Sequence, residues 1–438
     1  MAIGRTLLLV TASSPAIKRV RRSRVLNFQQ ITMPYLAALV PPEWTVRHID
    51  EDVSPVDVTS VADLVGITFH TPSALHAYDL AAQFRNRGVC VVLGGPHVTL
   101  VPDEAQHHAD VIFVGEAELN WPQFLKDFAA GGYARRYDAN TPPTLDAAPM
   151  ARKDLYHRRD LTGGRLFATR GCPYDCDFCA VALMYQRKVR KRSVASVATE
   201  FASFPGRTIV FWDDNLAADR KYAKELFRSI APYRKWWASQ VSIHAAQDLE
   251  FLKLAAESGC KQLFIGLESI SQRSMDGAGK RFNRVEEYSR LVGHIHQHGI
   301  AVQAGIVLGF DDDCESVFRE TLDFLETSGV QNATFNILTP YPGTPLHRRL
   351  EAEGRILTRD WSKYNGREDV VFQPRHMSPE QLLDGFRYAT RRFYSASSIC
   401  RRLTRSPVGL WWTLPLNLAY AAGHWSARQS WSVASGDA

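Results

Sequence analysis

Short apolar runs alternate with amphipathic stretches over the first third of the chain. Thr6–Thr11, Trp44–Ile49, Leu64–Phe69, Val89–Leu93 and Val111–Val114 are brief and rich in Val, Ile and Leu, which predicts strands. Ile31–Leu39 and Ser73–Arg87 carry the spacing of helices. Strands and helices in alternation predict a doubly wound parallel sheet. Two of the strands run into glycines, at Gly94-Gly95-Pro96-His97 and at Gly115-Glu116. Ligands of such sheets gather at the carboxyl ends of the strands, where glycine lets backbone come close.

Gly131-Gly132, Thr141-Pro142-Pro143 and Pro149 punctuate the next stretch, which reads as a linker. A second series then runs from Gly164 to Leu350. Leu166–Thr169, Thr208–Trp212, Trp237–Ile243, Gln262–Leu267, Ala301–Leu308 and Thr334–Leu338 predict strands. Arg220–Ile230, Leu249–Glu257, Val285–His298 and Cys314–Thr327 predict helices between them. Such a series suits a partial or full β/α barrel, whose active site lies at the carboxyl ends of its strands. Beyond it, Met377–Ser395 has helical periodicity. The expected organisation is a first domain over 1–135, a linker over 136–160, a barrel over 161–350 and a mainly helical region over 351–438.

Of the 438 residues, 45% are hydrophobic and 22% charged, which excludes wholesale disorder. The net charge of +6 fits an acidic ligand or surface and selects none. The seven cysteines are odd in number and unevenly spaced, which argues against a disulfide scaffold and for a reducing, cytoplasmic compartment. The N-terminus shows no signal-peptide pattern and reads as a first strand.

The chemistry concentrates in Thr169-Arg170-Gly171-Cys172-Pro173-Tyr174-Asp175-Cys176-Asp177-Phe178-Cys179. Three thiolates spaced this way can hold three corners of an iron–sulfur cubane, leaving one iron open to a ligand. A zinc loop is the alternative, and it would need a fourth Cys or His, of which none stands at recognisable spacing.

With this loop the chain resembles the radical SAM superfamily, and in particular its cobalamin-dependent members. The resemblance extends along the barrel. Phe211-Trp212-Asp213-Asp214-Asn215, Gly266-Leu267-Glu268-Ser269, Gly305-Ile306-Val307-Leu308-Gly309-Phe310 and Tyr341-Pro342-Gly343-Thr344-Pro345 each resemble a family element, as does Arg190-Lys191-Arg192-Ser193. It implies a [4Fe-4S] cluster on Cys172, Cys176 and Cys179. It implies S-adenosylmethionine (SAM) bound by Phe178, Asp213, Asp214, Arg190, Gly266, Glu268, Ser269, Gly305, Leu308 and Tyr341. Taken singly, an Asp/Asn helix cap or a strand ending in glycine would explain several of these elements.

The first domain resembles the Rossmann-like cobalamin-binding domain that precedes many such barrels. Thr71, Ser73, Gly94, Gly95, His97, Gly115 and Glu116 would then face cobalamin. No histidine here has Asp two residues before it, so the D-x-H-x-x-G pattern of axial ligation is absent. Cobalamin would bind without a protein histidine on its metal, or the domain would carry no ligand. The tail from Gly385 to Gly436 has seven arginines and no Asp or Glu, and carries Trp411, Trp412, Trp425 and Trp431. Pro407, Gly409, Pro415, Asn417, Gly423 and His424 interrupt its apolar stretch. The expectation is an interfacial or substrate-facing segment with peripheral membrane contact; a helix capping the barrel is the alternative.

The fold class expected is α/β: a doubly wound domain, a partial (β/α)6 barrel and a helical C-terminal region. The function implied is reductive cleavage of SAM to a 5′-deoxyadenosyl radical and cobalamin-dependent methylation of an unactivated carbon. An oxidative cyclase, a rearrangement enzyme and a non-catalytic iron–sulfur protein are the rivals. The partners implied are a small-molecule substrate, amphipathic or lipid-like, and an electron donor such as flavodoxin or ferredoxin, with no nucleic acid.

Overall fold

The computed structural model describes residues 4–19, 30–142, 144–156, 163–404, 406 and 408–434, with side chains placed up to Gly423 in the last segment. Pro143 and Pro407, and the side chains of His424, Trp425 and Trp431, lie outside that description. The chain forms two compact units. The first takes the described residues of 1–18 and 27–160 and adds Asp360–Asn365 from far along the chain; the second takes those of 161–359 and 366–438.

In the first unit six strands make one parallel sheet in the order β2-β1-β3-β4-β5-β6. They are β1 (Thr6–Thr11), β2 (Thr45–Asp50), β3 (Leu64–Thr68), β4 (Cys90–Gly94), β5 (Val111–Val114) and β6 (Arg136–Asp138). The continuous apolar runs follow from burial on both faces. Leu8 and Val10 of β1 enter one core with Val65, Ile67, Val91 and Leu93, closed by Ala77, Leu80 and Phe84 of α1 (Ala74–Arg85). Leu7 and Leu9 enter the opposite core with Leu64, Val92 and Phe113, closed by Trp121, Phe124 and Leu125 of α2 (Asn120–Ala130). Strand β6 lies where the pattern read a linker: Arg136-Tyr137-Asp138 is too short and polar to show a strand period, and its pairing with β5 defines it. Trp361 of the added segment packs against the first core, and its indole N–H donates to the Glu104 carboxylate at 3.0 Å.

The second unit holds another six-stranded parallel sheet, ordered β7-β10-β11-β12-β13-β14. Its strands are β7 (Gly164–Leu166), β10 (Thr208–Phe211), β11 (Trp236–Val241), β12 (Cys260–Glu268), β13 (Ala301–Leu308) and β14 (Asn332–Ile337). Between β7 and β10, β8 (Thr169–Arg170) and β9 (Arg190–Lys191) form an antiparallel pair that flanks the cysteine loop. The expected strand Leu166–Thr169 is therefore split between β7 and β8.

Side-chain caps set where several helices start. Ser193 accepts from the Ser196 N–H before α3 (Val194–Ser203), and Asp219 from the Tyr222 N–H before α4 (Arg220–Ile230). Asp248 does the same before α5 (Leu249–Glu257). Helices α6 (Tyr288–Gln297), α7 (Val317–Thr327) and α8 (Pro345–Ala352) complete the series. A reciprocal box of Ser378 and Gln381 opens α9 (Pro379–Phe393), which leads to α10 (Ala396–Thr404) and α11 (Leu410–Ala434).

Helix α11 meets the amino-terminal ends of the strands, opposite the end that carries the cysteines. Its Trp412 indole N–H donates to Gln262 near the start of β12 at 2.8 Å, and Tyr420 accepts from Gln303 near the start of β13 at 3.1 Å. Asn417 donates to Asn332, the first residue of β14, at 2.8 Å. The described part of the tail thus caps the sheet, and its substrate-facing alternative does not hold. The outward side of the helix leaves Leu410, Trp411, Leu414 and Leu418 exposed. No described helix is long and apolar enough to cross a membrane.

Candidate active site

Strand β8 delivers the chain into the cysteine loop through Gly171, whose φ is +89°. A Cβ there would stand 2.1 Å from the Lys188 carbonyl oxygen, so only glycine passes. The Gly171 N–H donates to Asp214 at 2.8 Å. Asn215 turns its amide nitrogen toward the Cys172 sulfur at 4.0 Å and accepts from the Ser242 N–H at 3.1 Å. Past the middle cysteine, the Asp177 N–H donates to the Ala278 carbonyl at 3.0 Å, and the Cys179 N–H to the Cys176 carbonyl at 3.1 Å. The three cysteines are unbridged, and Cys176 is buried. Burial pushes the Cys176 thiol up to about 12 and raises Cys172 and Cys179 as well. Among the described residues no three His, Cys, Asp or Glu side chains are gathered as a single metal ion would need.

The two aspartates after β10 are engaged with the chain itself. Asp213 is buried and accepts from the N–H groups of Ala168 and Thr169, the latter at 2.5 Å, and from the Thr169 hydroxyl at 2.7 Å. Burial nevertheless pushes its carboxyl up to about 7. In this conformation its donors come from the protein, and it positions the strand that leads to the cysteines. Arg190 opens β9 opposite Arg170. Its neighbour Arg192 is fully buried and pairs with Glu200. Phe178 meets the Phe310 ring edge at 5.8 Å between centroids.

At the end of β12 the register slips between Gly266 and Glu268, and Glu268 takes φ +65°. That is a costly conformation for a residue with a Cβ, and such strain collects at functional sites. Its carboxylate pairs with the Lys280 ammonium at 2.6 Å, both side chains being little exposed. Ser269 is buried and its hydroxyl accepts from the Ser271 N–H at 3.1 Å. Gly305 lies beside Gly266, where a Cβ would meet the Phe264 ring at 2.9 Å. Leu308 ends β13, almost wholly buried. The Tyr341 carbonyl accepts from the Thr344 hydroxyl at 2.6 Å in the turn before α8. The residues expected at SAM therefore fall in β9 or at and beyond the carboxyl ends of β8, β10, β12, β13 and β14, except Gly305, which lies inside β13.

The sequence reading missed the segment 278–283, which packs on the cysteine loop. Gly279 at φ +71° would bring a Cβ to 3.9 Å from the Cys176 Cα. Phe282 stacks on Tyr174 with centroids 3.8 Å apart. Asn283 donates to the Tyr288 hydroxyl at 3.0 Å, which in turn donates to the Leu267 carbonyl at 3.0 Å. Gly277-Ala278-Gly279 was the available signal, a tight turn without periodicity.

In the first unit the residues expected at cobalamin lie at the carboxyl ends of β3, β4 and β5. Thr71 and Ser73 form a tight turn after β3. Gly95 at φ +98° would place a Cβ 2.3 Å from the Thr68 hydroxyl, and Gly115 has φ +82°. Gly94 ends β4, and Glu116 follows β5. Ser73 accepts from the Ser14 N–H at 3.2 Å, and the buried Ser13 hydroxyl has no hydrogen-bond partner. His97 is fully buried: Nδ1 stands 3.2 Å from the Thr71 hydroxyl, Nε2 lies 3.5 Å from Glu104, and the Trp361 ring meets it edge-on at 5.5 Å. Burial holds its pKa below the ordinary value.

Two parallel α/β sheets, one carrying a three-cysteine loop beyond its strand ends, define the class. A profile of the radical SAM superfamily matches residues 166–325, and one of a domain of unknown function (DUF4070) matches 344–408. The chain is 31% identical over 414 residues to bacteriochlorophyllide d C-12(1)-methyltransferase of Chlorobaculum tepidum, covering 89% of both chains. It is 27% identical to hopanoid C-2 methylase of Rhodopseudomonas palustris, over 84% of this chain and 71% of that one. Its fold is similar to the radical SAM methyltransferase TsrM of Kitasatospora setae, solved with cobalamin and a [4Fe-4S] cluster: TM-score 0.69, 15% identity, 99% of this chain and 100% of that one. The chain belongs to the radical SAM superfamily and is an enzyme of it, with bacteriochlorophyllide and hopanoid methylases among its relatives.

Proposed function

We propose that the chain is a cobalamin-dependent radical SAM methyltransferase that methylates an unactivated carbon of a small molecule. The six-stranded sheet of the second unit is then the partial barrel, and that of the first unit the cobalamin domain. The observation that carries the reading is the set of three unbridged cysteines on one loop at the carboxyl end of the sheet. That donor set fits a cubane with an open corner. The glycine turns and the orphaned Ser13 hydroxyl at the first sheet's carboxyl edge fit a polar ligand held by backbone and hydroxyls. His97, closed in by Thr71, Glu104 and Trp361, would support that edge of the cobalamin site.

Cys172, Cys176 and Cys179 would hold the cluster, and bound there it supplies the electron that splits a C–S bond of SAM while cobalamin supplies the methyl group. The chain's own residues set the rest. Gly171 and Asp214 fix the loop's entry, and Ala278 fixes its middle. Glu268 stands ready to accept from ribose hydroxyls, with Gly266 and Gly305 on the paired strands β12 and β13 and Tyr341 in the turn before α8 as the adenosine's further neighbours. Phe282 stacked on Tyr174, and Phe178 edge-on to Phe310, brace the loop. The substrate class we infer is a small molecule of the kind named in the bacteriochlorophyllide and hopanoid relatives. A low-potential one-electron donor of the flavodoxin or ferredoxin class completes the system.

The test is anaerobic reconstitution with iron, sulfide and hydroxocobalamin, then reduction with methyl-labelled SAM and bacteriochlorophyllide or a hopanoid. The reading expects both 5′-deoxyadenosine and S-adenosylhomocysteine, and a product heavier by one labelled methylene unit. An unlabelled product, isomeric with the substrate or changed in mass only by oxidation, would replace methylation by rearrangement or cyclisation, and absence of 5′-deoxyadenosine would remove radical chemistry.

A further inference from the structure

Lys280 is a buried cation in the segment that packs on the cysteine loop, and no motif accounts for it. Its ammonium donates to the Gly266 carbonyl at 2.8 Å and to Glu268 at 2.6 Å. Its backbone is fixed by an N–H bond to Met275 at 2.8 Å, and Gly279 before it lies against Cys176. The segment that carries Lys280 is seated on the cysteine loop, since the Asp177 N–H donates to the Ala278 carbonyl at 3.0 Å. The ammonium, paired with Glu268 and little exposed, is a fixed charge beside the thiols.

We propose that Lys280 is a positioning residue that sets the charge at the cysteine loop: it eases one-electron reduction of a cluster held by Cys172, Cys176 and Cys179, and it holds Glu268 in its strained backbone conformation for SAM. The inference rests on the cluster assignment above. Reduction adds one electron from the low-potential donor and one negative charge, with no bond made or broken. A fixed cation in a low-dielectric pocket favours the more negative form, and net charge nearby is a main determinant of cluster potential.

The experiment is an EPR-monitored redox titration of the anaerobically reconstituted full chain, without SAM, with iron and sulfide counted per chain. Lys280→Met is expected to shift the midpoint to more negative potential at unchanged iron content, and Lys280→Arg to stay near the wild type. Glu268→Gln keeps the ammonium and removes its counter-charge, so its midpoint is expected to move the opposite way; this decides the matter if Lys280→Met does not load. Equal midpoints in wild type and Glu268→Gln, or in a loaded Lys280→Met, would overturn the proposal. A wild-type chain that takes up no iron and sulfide would instead overturn the cluster assignment on which it rests.

Discussion

At its amino end the sheet of the second unit is closed by side chains that answer one another: Gln262 with Trp412, Gln303 with Tyr420, Asn332 with Asn417. At its carboxyl end the same strands leave three unbridged thiols, one of them buried, a little-exposed ion pair and a residue at φ +65°. Neither end lacks polar groups. They differ in what those groups cost. At the amino end the polar groups are mostly neutral amides and hydroxyls bonded to one another, the Asn332 amide nitrogen excepted, and the buried cation Arg402 is spread over the carbonyls of Gln331 and Phe393 and stacked 3.6 Å from the Phe393 ring centroid. At the carboxyl end a charged pair is held with little exposure and strain is left in place, which is the mark of a site kept for a ligand. A fold that spends its stability closing one end can keep the other costly.

The largest effect expected is at the carboxyl end. Cys176→Ala should abolish both the cluster's visible absorbance and SAM cleavage, read by spectra and by 5′-deoxyadenosine, while the fold by circular dichroism stays. At the amino end the loss should be of stability. Arg402→Ala leaves buried carbonyls without donors and should cost about 3 kcal/mol or more in urea unfolding.

Protons give the next contrast. Burial pushes Asp313, just beyond β13, up to about 6. Its folded form keeps a proton that an unfolded carboxyl, with its ordinary value of 3.8, has released. The stability it contributes is thus complete below about pH 4 and is lost as pH rises to about 6. Asp313→Asn should flatten the pH dependence of the urea midpoint across that window; an unchanged slope would remove Asp313 as its source. The smallest effect belongs to the cap: Trp412→Phe removes the bond to Gln262 and should cost about 1 kcal/mol, with SAM cleavage per folded chain unchanged.

Strand-by-strand, most of this architecture was legible, because strands buried on both faces must be continuously apolar, as Leu7–Val10 and Leu64–Ile67 are. The cysteines were legible because their spacing is local. Strand β6 was not, since three polar-flanked residues carry no period. Asp213 read as a ligand for an ammonium, yet its oxygens accept from Ala168 and Thr169; a sequence shows a carboxylate but not which donors reach it first. Lys280 and Asn283 were invisible for the same reason, being brought to Gly266 by a turn. The tail's tryptophans suggested a surface, and only the contacts of Trp412 and Tyr420 with β12 and β13 show a cap.

The central claim is that three cysteines leave one iron open to SAM. Electron–nuclear double resonance on the reduced, reconstituted chain with SAM labelled at its amino nitrogen tests it most directly. The account predicts a hyperfine coupling from that nitrogen to the cluster. A cluster spectrum without such coupling, or a chain that binds a single zinc ion in place of iron and sulfide, would contradict it.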